Sequence, residues 1–221
     1  MKREIIKTND GSTTIHLPEW EESYHSKHGA IQEAYHVFIK NGLNLFEGKS
    51  VSVLEIGFGT GLNAFITLLE SQKSNQLVEY VGVEAYPVRL EEVRQLNYPN
   101  ELNANEFADI FLEMHQGNWE NKMALSHLFS LTKREQRFED IIDQAAFDLI
   151  YFDAFGFRVQ PELWSTNIFQ KMYAALKPNG VLVTYACRTS IKNAMIESGF
   201  KVEKLPGAPG KREMLRARKI S

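Results

Sequence analysis

Residues 51–63 read VSVLEIGFGTGLN, and they contain the strongest local signals for the fold. Its first half is a short apolar run rich in β-branched residues, which is typical of a buried strand. Gly57, Gly59 and Gly61 then predict a sharp turn, and the apolar residues from 62 to 69 have the spacing of a helix. Glycine lets a ligand approach main-chain amides, and the N-terminus of a helix favours an anionic group. The stretch therefore predicts a nucleotide-type site, the alternative being a glycine turn that binds no ligand.

A carboxylate at the end of the next predicted strand adds to this site. Residues 78–83 have a strand pattern, and Glu84 follows them before Pro87 helps to begin the next helix. A carboxylate accepts two hydrogen bonds, so Glu84 is expected to bind a pair of ribose hydroxyls at the carboxyl ends of the strands. A solvated carboxylate at a strand end is the alternative.

The glycine spacing distinguishes between two kinds of nucleotide. The dinucleotide fingerprint requires a third glycine three residues after the second, and this chain has Leu62 there, so an NAD oxidoreductase is the least favoured enzyme. The observed spacing, preceded by Glu55, resembles the first motif of class I S-adenosylmethionine methyltransferases. In that motif the helix amides suit the carboxylate of the cofactor, and Glu55 is expected either near its ammonium or as a residue that orders the loop.

Length and composition favour one globular domain. The chain has 221 residues, 43% of them apolar, which is enough for a sizeable core. Residues 1–48 are expected to form an N-terminal extension of hairpin, loop and helix, and residues 49–221 a Rossmann-like catalytic core. No apolar stretch is long enough to cross a membrane and the first residues lack the apolar core of a signal peptide, so a cytoplasmic location is expected. The net charge of −3 leaves only a local basic patch to attract nucleic acid.

The remaining pattern predicts an α/β fold with a mostly parallel sheet. The expected elements are a hairpin at 5–17, a helix at 31–38, a third strand at 108–116, a helical layer with an insertion at 119–144, a strand at 147–153, a helix from Pro161, strands at 181–186 and 200–205 separated by a helix at 190–198, and a last, antiparallel strand at 211–218. The strand at 147–153 is apolar enough to be central.

The chemistry is expected where that central strand ends. Amine methyltransferases often have Asp or Asn there, because it can accept a hydrogen bond from the acceptor amine and orient its lone pair. Asp153 is the candidate, and Phe155 or Phe157 is expected to stack on a flat substrate ring. The alternatives are a strand-end cap for Asp153 and core packing for both phenylalanines.

The polar and aromatic loop at 17–29 is expected to carry ligand contacts, although an ordinary surface connection explains it equally well. An amine is mostly protonated at neutral pH, so the site needs a proton acceptor, and Tyr24 and His25 are candidates. His25 and His28 alone do not make a zinc site, and no metal is expected.

Several of these stretches together resemble the MnmC-type tRNA methyltransferase domain. They are residues 10–12, 24–26 with 29–30, 55–63, 152–155 with 161–164, and 210–214. The resemblance runs over nearly the whole chain and implies a class I S-adenosylmethionine-dependent methyltransferase with a Rossmann-like fold. It implies the last step in making 5-methylaminomethyl-2-thiouridine, in which a wobble uridine of tRNA receives a methyl group on its aminomethyl nitrogen.

The same resemblance implies roles for individual residues. It places S-adenosylmethionine against Glu55, Gly57, Gly59, Gly61, Asn63 and Glu84, with Asn118 toward the adenine and Asp153 beside the acceptor amine. Gly117 and Asn118 end the predicted third strand, so both are expected near the cofactor, the alternative being a plain loop. Two departures affect this transfer: the family often has Asp where this chain has Asn118, and residues 156–160 lack the more usual Pro and Lys. Some relatives carry a fused flavin oxidoreductase domain, for which 221 residues leave no room, so a stand-alone methyltransferase is expected.

The expected macromolecular partner is the anticodon region of tRNA. Single-stranded bases are read by stacking and edge hydrogen bonds, and Lys211, Arg212 and Arg216 are expected to contact phosphates. A solvated basic tail is the alternative for these three. A separate flavin oxidoreductase or aminomethyl-forming enzyme is expected as a functional link. Two other functions stay open at this point, namely methylation of another amine, small molecule or protein, and a non-catalytic nucleotide-binding scaffold.

Overall fold

The computed structural model describes residues 2–220, whose strands form two sheets. The strands are β1 (Glu4–Lys7), β2 (Thr13–Leu17), β3 (Glu22–Ser23), β4 (Val51–Ile56), β5 (Val78–Glu84), β6 (Lys122–Ala124), β7 (Phe129–Glu135), β8 (Phe147–Phe152), β9 (Leu176–Thr184), β10 (Phe200–Pro206) and β11 (Glu213–Lys219). Strands β1 to β3 form a small sheet, and the other eight form a large sheet in the order β10-β11-β9-β8-β4-β5-β7-β6.

The helices lie mainly against the large sheet. They are α1 (Ala30–Ala34), α2 (Leu62–Ser74), α3 (Leu90–Val93), α4 (Tyr98–Glu101), α5 (Ala108–Gln116), α6 (Thr166–Ala175) and α7 (Thr189–Glu197). A π-helical segment, Tyr35–Lys40, continues α1, and short 3-10 turns occur at Pro18–Trp20, Leu43–Phe46, Asn105–Phe107, Phe138–Asp140 and Pro161–Trp164. No helix within residues 2–220 is long and apolar enough to cross a membrane.

The centre of the large sheet is parallel and buried on both faces. Strand β4 pairs in parallel with β5 and with β8, and the parallel pairing continues to β7 on one side and β9 on the other. Successive side chains of a strand point to opposite faces, so Val53 packs into one hydrophobic cluster and Leu54 into the other. Both faces are therefore covered, which explains why β4 and β8 are nearly continuous apolar runs.

Much of the expected α/β fold is confirmed. The N-terminal hairpin, the strand, turn and helix around residues 51–74, the central strand β8 and the antiparallel last strand β11 all form as predicted. The helix predicted at 31–38 forms as α1 and its π-helical continuation. The helix expected from Pro161 is a 3-10 turn followed by α6, because Ser165 between them has an extended backbone.

Two predictions in the middle of the chain are wrong. Residues 108–116 form helix α5 and not a strand, because Phe111 and Met114, one helical turn apart, are the residues it buries. The segment 119–144 contains strands β6 and β7 where a helical layer was expected. Strand β7 pairs with β5 along seven residues, so it is the strand that extends the sheet on this side.

The small N-terminal sheet is fixed to the chain that follows β5. The side-chain oxygen of Asn97 accepts hydrogen bonds from the main-chain nitrogen of Thr13 at 2.8 Å and from its hydroxyl at 3.0 Å. Arg3 donates to the carbonyl of Pro87 at 3.3 Å and pairs with Glu92 at 3.0 Å. These contacts hold residues 20–27 over the carboxyl ends of β4, β5 and β8, where they line a large cavity.

Candidate active site

A cavity of about 580 Å³ lies where the loops after β4, β5, β7 and β8 meet the N-terminal loop. Most of the predicted site residues line it: Tyr24, His25, Gly57, Gly59, Asn63, Glu84, Asp153, Phe155 and Lys211. Glu55, Gly61, Gly117, Asn118, Phe157, Arg212 and Arg216 are not among its lining residues. Since open α/β sheets bind ligands at the carboxyl ends of their strands, the cavity is in the expected place.

The glycine turn is shaped by close contacts across the site. Gly57 has a φ of +88°, and a methyl group added to it would lie 2.7 Å from the carbonyl oxygen of Asp153. A methyl group on Gly59 would lie 3.0 Å from the Tyr24 ring. A methyl group on Gly61 would lie 2.8 Å from the His115 ring, outside the cavity. The glycines therefore let the loops of β4 and β8 and the N-terminal loop approach one another.

Glu84 is held at the end of β5 by main-chain donors. The amide of Gly59 donates to one carboxylate oxygen at 3.0 Å, and the amide of Tyr86 donates to the other at 2.9 Å. Burial raises the pKa of Glu84, while these two amides and the charge of Arg3 oppose the rise. Each oxygen keeps a lone pair after its one bond, so the carboxylate can accept two further hydrogen bonds from a ligand.

One amide connects two carboxyl groups at the centre of the site. The Nδ2 of Asn63 donates to Oε1 of Glu55 at 2.9 Å and to Oδ2 of Asp153 at 2.8 Å. Glu55 is fully buried, and burial raises its pKa well above the usual range. Within residues 2–220, Oδ1 of Asn63 has no hydrogen-bond partner. Glu55 thus orients Asn63, which in turn orients Asp153. Of the two roles expected for Glu55, contact with the cofactor ammonium or ordering of the loop, this arrangement fits the second.

Asp153 combines a protonatable carboxyl group with a fixed orientation. Burial and the charge of Glu33 raise its pKa to about 7, against the opposing effects of Asn63 and Lys211. A carboxyl group with this pKa exchanges a proton readily near neutral pH, which suits general acid–base chemistry. Sequence reasoning missed Glu33, because its helix gave no sign that one of its polar residues faces this site.

Tyr24 and His25 reach the cavity but are poor proton acceptors at neutral pH. His25 is hydrogen-bonded to the hydroxyls of Thr14 at 3.0 Å and Thr60 at 3.4 Å, and burial lowers its pKa to about 4. Burial and the charge of Glu84 raise the pKa of Tyr24, so its phenol stays neutral. The pKa directions favour Asp153 over both residues for this role.

An aromatic cluster borders the cavity at the loop that follows β8. The Phe155 ring meets the Tyr24 ring edge-on, with 5.0 Å between ring centres, and the Trp20 ring in the same way at 5.7 Å. The main-chain carbonyl of Phe155 accepts a hydrogen bond from the indole nitrogen of Trp164 at 2.8 Å. Phe157 instead packs beneath the guanidinium of Arg188, at 5.2 Å, as part of a hydrophobic cluster. Of the two phenylalanines, the structure brings only Phe155 to the cavity.

Gly117 and Asn118 lie away from the cavity because the segment before them is a helix. The carbonyl of Gly117 accepts a hydrogen bond from the buried Lys133 at 2.8 Å, and Asn118 is exposed. At the corresponding point after β7, the residues that line the cavity are Arg137, Phe138 and Glu139. The alternation of Phe129 and Leu131, both buried, is the sequence signal that could have located this strand.

Several of the basic C-terminal residues form ion pairs. Arg216 pairs with Glu203 at 2.6 Å, and Lys204 pairs with Glu213 at 2.8 Å. Lys211 lies inside the cavity, and Arg212 is exposed. Of the three expected phosphate contacts, Arg212 alone is positioned as a surface cation within the part of the chain described.

The sequence is similar to those of known methyltransferases. Residues 136–220 match the Methyltransf_30 family, described as S-adenosyl-L-methionine-dependent methyltransferase. The tRNA 5-methylaminomethyl-2-thiouridine biosynthesis bifunctional protein MnmC of Azoarcus sp. is 32% identical over 222 residues, which are 93% of this chain and 34% of that protein. The protein of the same name from Campylobacter fetus is 28% identical over 211 residues, 92% of this chain and 34% of its own length. The chain therefore spans about a third of the length of these curated relatives.

Solved structures extend the comparison of the fold. MNMC2 from Aquifex aeolicus superposes with a TM-score of 0.79 at 24% identity, over 98% of this chain and 70% of that one. Spermidine synthase from Thermotoga maritima superposes with a TM-score of 0.60 at 14% identity, over 98% of this chain and 69% of that one. The chain has the fold of class I S-adenosyl-L-methionine-dependent methyltransferases and matches such a family over residues 136–220. Almost its whole length is similar to a segment that makes up about one third of the length of these MnmC proteins.

Proposed function

We propose that this protein is an S-adenosylmethionine-dependent N-methyltransferase that converts 5-aminomethyl-2-thiouridine to 5-methylaminomethyl-2-thiouridine at the wobble position of tRNA. The names of the relatives specify 5-methylaminomethyl-2-thiouridine biosynthesis. The observation that carries the proposal is the position of Asp153, a carboxyl group held by Asn63 between the glycine turn and the aromatic cluster. That position suits an acceptor amine next to a methyl donor.

The residues of the glycine turn and of β5 fit S-adenosylmethionine. Gly57 and Gly59 leave no side chain between the cavity and the main chain, and Glu84 has lone pairs left for two ribose hydroxyls. The unpartnered Oδ1 of Asn63 suits the ammonium of the cofactor's amino-acid end. We place the adenine near residues 137–139 in preference to Gly117 and Asn118, since the former line the cavity. Gly61 and Glu55 support this site from outside the cavity.

The bound cofactor would supply a methyl group activated by its sulfonium charge. Asp153 accepts a hydrogen bond from the acceptor amine and so directs the nitrogen lone pair, and it takes the proton that the amine must lose before it can react as a nucleophile. Asn63 fixes the orientation of that carboxyl group. The N-terminal loop covers the cavity and limits the access of water to the reacting groups.

The aromatic cluster suits a flipped nucleobase. Trp20, Tyr24 and Phe155 line the same side of the cavity, and aromatic rings stack on unpaired bases in single-stranded RNA recognition. We assign the anticodon region of tRNA as the partner, with Arg212 at a phosphate and Lys211 and Arg216 in other roles. Because the proposed substrate is tRNA, we propose that the protein acts in the cytoplasm, where an aminomethyl-forming or flavin oxidoreductase activity would supply the substrate.

A second function draws support from the ion pairs of the C-terminal strand. Arg216 and Lys204 are paired to glutamates, so these two side chains offer less positive charge to RNA. Methylation of another amine would fit the same cofactor site and the same Asp153.

The test is methyl transfer from labelled S-adenosylmethionine to tRNA from cells that lack this gene, followed by nucleoside analysis. We expect label in 5-methylaminomethyl-2-thiouridine, and we expect Asp153→Asn to reduce the rate by about 100-fold or more. Asp109→Asn, the same chemical change at an exposed residue of α5, is the matched control and should keep full activity. Absence of label, with cofactor binding intact and aminomethyl-uridine confirmed in the sample, would favour the second function.

A further inference from the structure

Lys211 lies in an unexpected place for a phosphate contact. Its Nζ forms an ion pair with Oε1 of Glu33 and lies 4.0 Å from the centre of the Tyr185 ring. The Lys211 side chain is 30% exposed and that of Glu33 is 12% exposed. All three residues line the cavity, and the Tyr185 hydroxyl donates to the carbonyl of Ala154, next to Asp153, at 2.8 Å. The ammonium of Lys211 is therefore held inside the site.

The carboxylates on this side of the cavity are compensated in pairs. Glu22 faces Arg158 at 3.6 Å, and Glu33 faces Lys211. Asp153 has the neutral amide of Asn63 as its partner. The charge of Lys211 nevertheless acts on Asp153, because it lowers the pKa of that carboxyl group and so opposes the effect of burial.

Two other titratable groups near Lys211, Tyr185 and His25, carry no charge near neutral pH. Burial raises the pKa of Tyr185, so its phenol is neutral, and burial lowers the pKa of His25 to about 4, so its imidazole is neutral as well. The His28 ring packs against Gly210, the residue before Lys211. Glu162 also lines the cavity but is exposed to solvent. Lys211 is thus the cation that the buried acceptor side holds beside Glu33.

We propose that Lys211 is a positioning residue of the methyl-transfer reaction: it neutralises Glu33, so that of these two carboxylates only Asp153 is uncompensated when the acceptor amine binds, and the amine can react as a neutral nucleophile. The inference rests on the proposed function. Two uncompensated carboxylates would hold the acceptor firmly as an ammonium ion, because each nearby negative charge favours the charged form of an amine.

The proposed methyl transfer conserves atoms and electrons. One N–H bond of the acceptor ammonium breaks, and the proton passes to a carboxylate oxygen of Asp153 and then to water. The electron pair of that bond stays on nitrogen and forms the new bond to the methyl group, while the electrons of the old methyl bond stay with the sulfur of the donor. Lys211 takes no part in the proton transfer and acts only through its charge.

The first test needs neither cofactor nor tRNA. Carbon-13 NMR of the Asp153 carboxyl group in the whole chain is followed against pH in the wild type, Lys211→Met, Lys211→Arg and Lys201→Met, the last removing an exposed lysine as a control. We expect the titration midpoint of Asp153 to rise in Lys211→Met and to stay at the wild-type value in Lys211→Arg and Lys201→Met. An unchanged midpoint in Lys211→Met would overturn the inference.

The second test separates the inference from a phosphate contact. With aminomethyl-containing tRNA, Lys211→Met should move the rising limb of kcat against pH upward by about one unit, which is about a tenfold loss of kcat at a pH below the limb. KM for tRNA should not rise, and Lys211→Arg should restore the profile. A raised KM, with the salt dependence of tRNA binding reduced by about one charge, would make Lys211 a phosphate contact and refute the inference. A wild-type chain that transfers no methyl group would refute the proposed function instead, and the NMR titration would still decide whether Lys211 compensates the site.

Discussion

Asp153→Asn is expected to make the protein more stable at alkaline pH while it removes activity. The charged form of Asp153 is costly in the folded protein because the carboxyl group is buried and lies near Glu33. Asparagine has no charge, and its side-chain oxygen can still accept the hydrogen bond that Asn63 donates to Asp153 at 2.8 Å. The substitution therefore removes the cost of the charge and keeps the contact.

The size of this effect follows from the two pKa values. The pKa of Asp153 is about 7 in the folded protein, and that of an unfolded aspartate is about 3.9. Between these values the folded protein holds a proton that the unfolded chain has released, so the free energy of unfolding falls by about 1.4 kcal/mol per pH unit. Asp153 thus reduces the stability at pH 8 by at most about 4 kcal/mol, and the reduction is absent below about pH 4.

Urea unfolding at pH 5 and pH 8 measures the effect. We expect Asp153→Asn to gain about 2–3 kcal/mol on the wild type between these two pH values, since most of the interval lies below the folded pKa. Asp109→Asn, at an exposed position, should show no such gain. A difference between Asp153→Asn and wild type that is constant with pH, or one that shrinks toward pH 8, would refute the argument from burial.

Three further predictions concern single residues of the cavity. Glu84→Gln removes the charge of a carboxylate placed for ribose hydroxyls, so the Kd for S-adenosylhomocysteine in calorimetry should rise about tenfold or more; an unchanged Kd would remove Glu84 from the cofactor site. Gly57→Ala should lower the free energy of unfolding by about 1–3 kcal/mol, because its new methyl group meets the Asp153 carbonyl, whereas Gly48→Ala, also at positive φ but with nothing within 4 Å, should cost less. The His25 imidazole should titrate in NMR near pH 4, and a midpoint above 6 would contradict its burial and restore it as a proton acceptor.

The parts of the fold that sequence reasoning located correctly are those with strong local signals. The apolar run before Gly57 and the run that ends at Asp153 are central strands buried on both faces, and continuous apolar residues between turn signals identify such strands. Glu84 could be placed because it directly follows a strand of the same kind. These three strand ends converge, which is why most of the predicted site residues meet in one cavity.

The misplaced strand shows where local patterns are insufficient. Ile110, Leu112 and Met114 alternate in sequence, yet the segment is a helix whose buried side is set by Phe111 and Met114. In strand β7, Lys133 is buried on the same face as Leu131. Because lysine is rarely buried, its presence hides the alternation of buried and partly exposed residues that would identify the strand. The expectation that Gly117 and Asn118 lie near the adenine depends on this misplaced strand.

The contacts that define the chemistry are long-range and could not be inferred from spacing. Asn63 and Asp153 are 90 residues apart in sequence, and only the folded chain shows that one amide orients that carboxyl group. Glu33 and Lys211 form their ion pair between an N-terminal helix and the turn before the last strand. The sequence predicts a phosphate contact for Lys211, because a basic run near the C-terminus does not show which lysine points into the site.

The proposed methyl acceptor is the aminomethyl nitrogen of a wobble uridine. The most direct test compares methyl transfer to two preparations of one tRNA that differ only in whether the wobble uridine carries the aminomethyl group. We predict incorporation of one methyl group per aminomethyl group in the first preparation, as 5-methylaminomethyl-2-thiouridine, and none in the second. Equal incorporation in both, or none in either while the cofactor binds, would contradict the account.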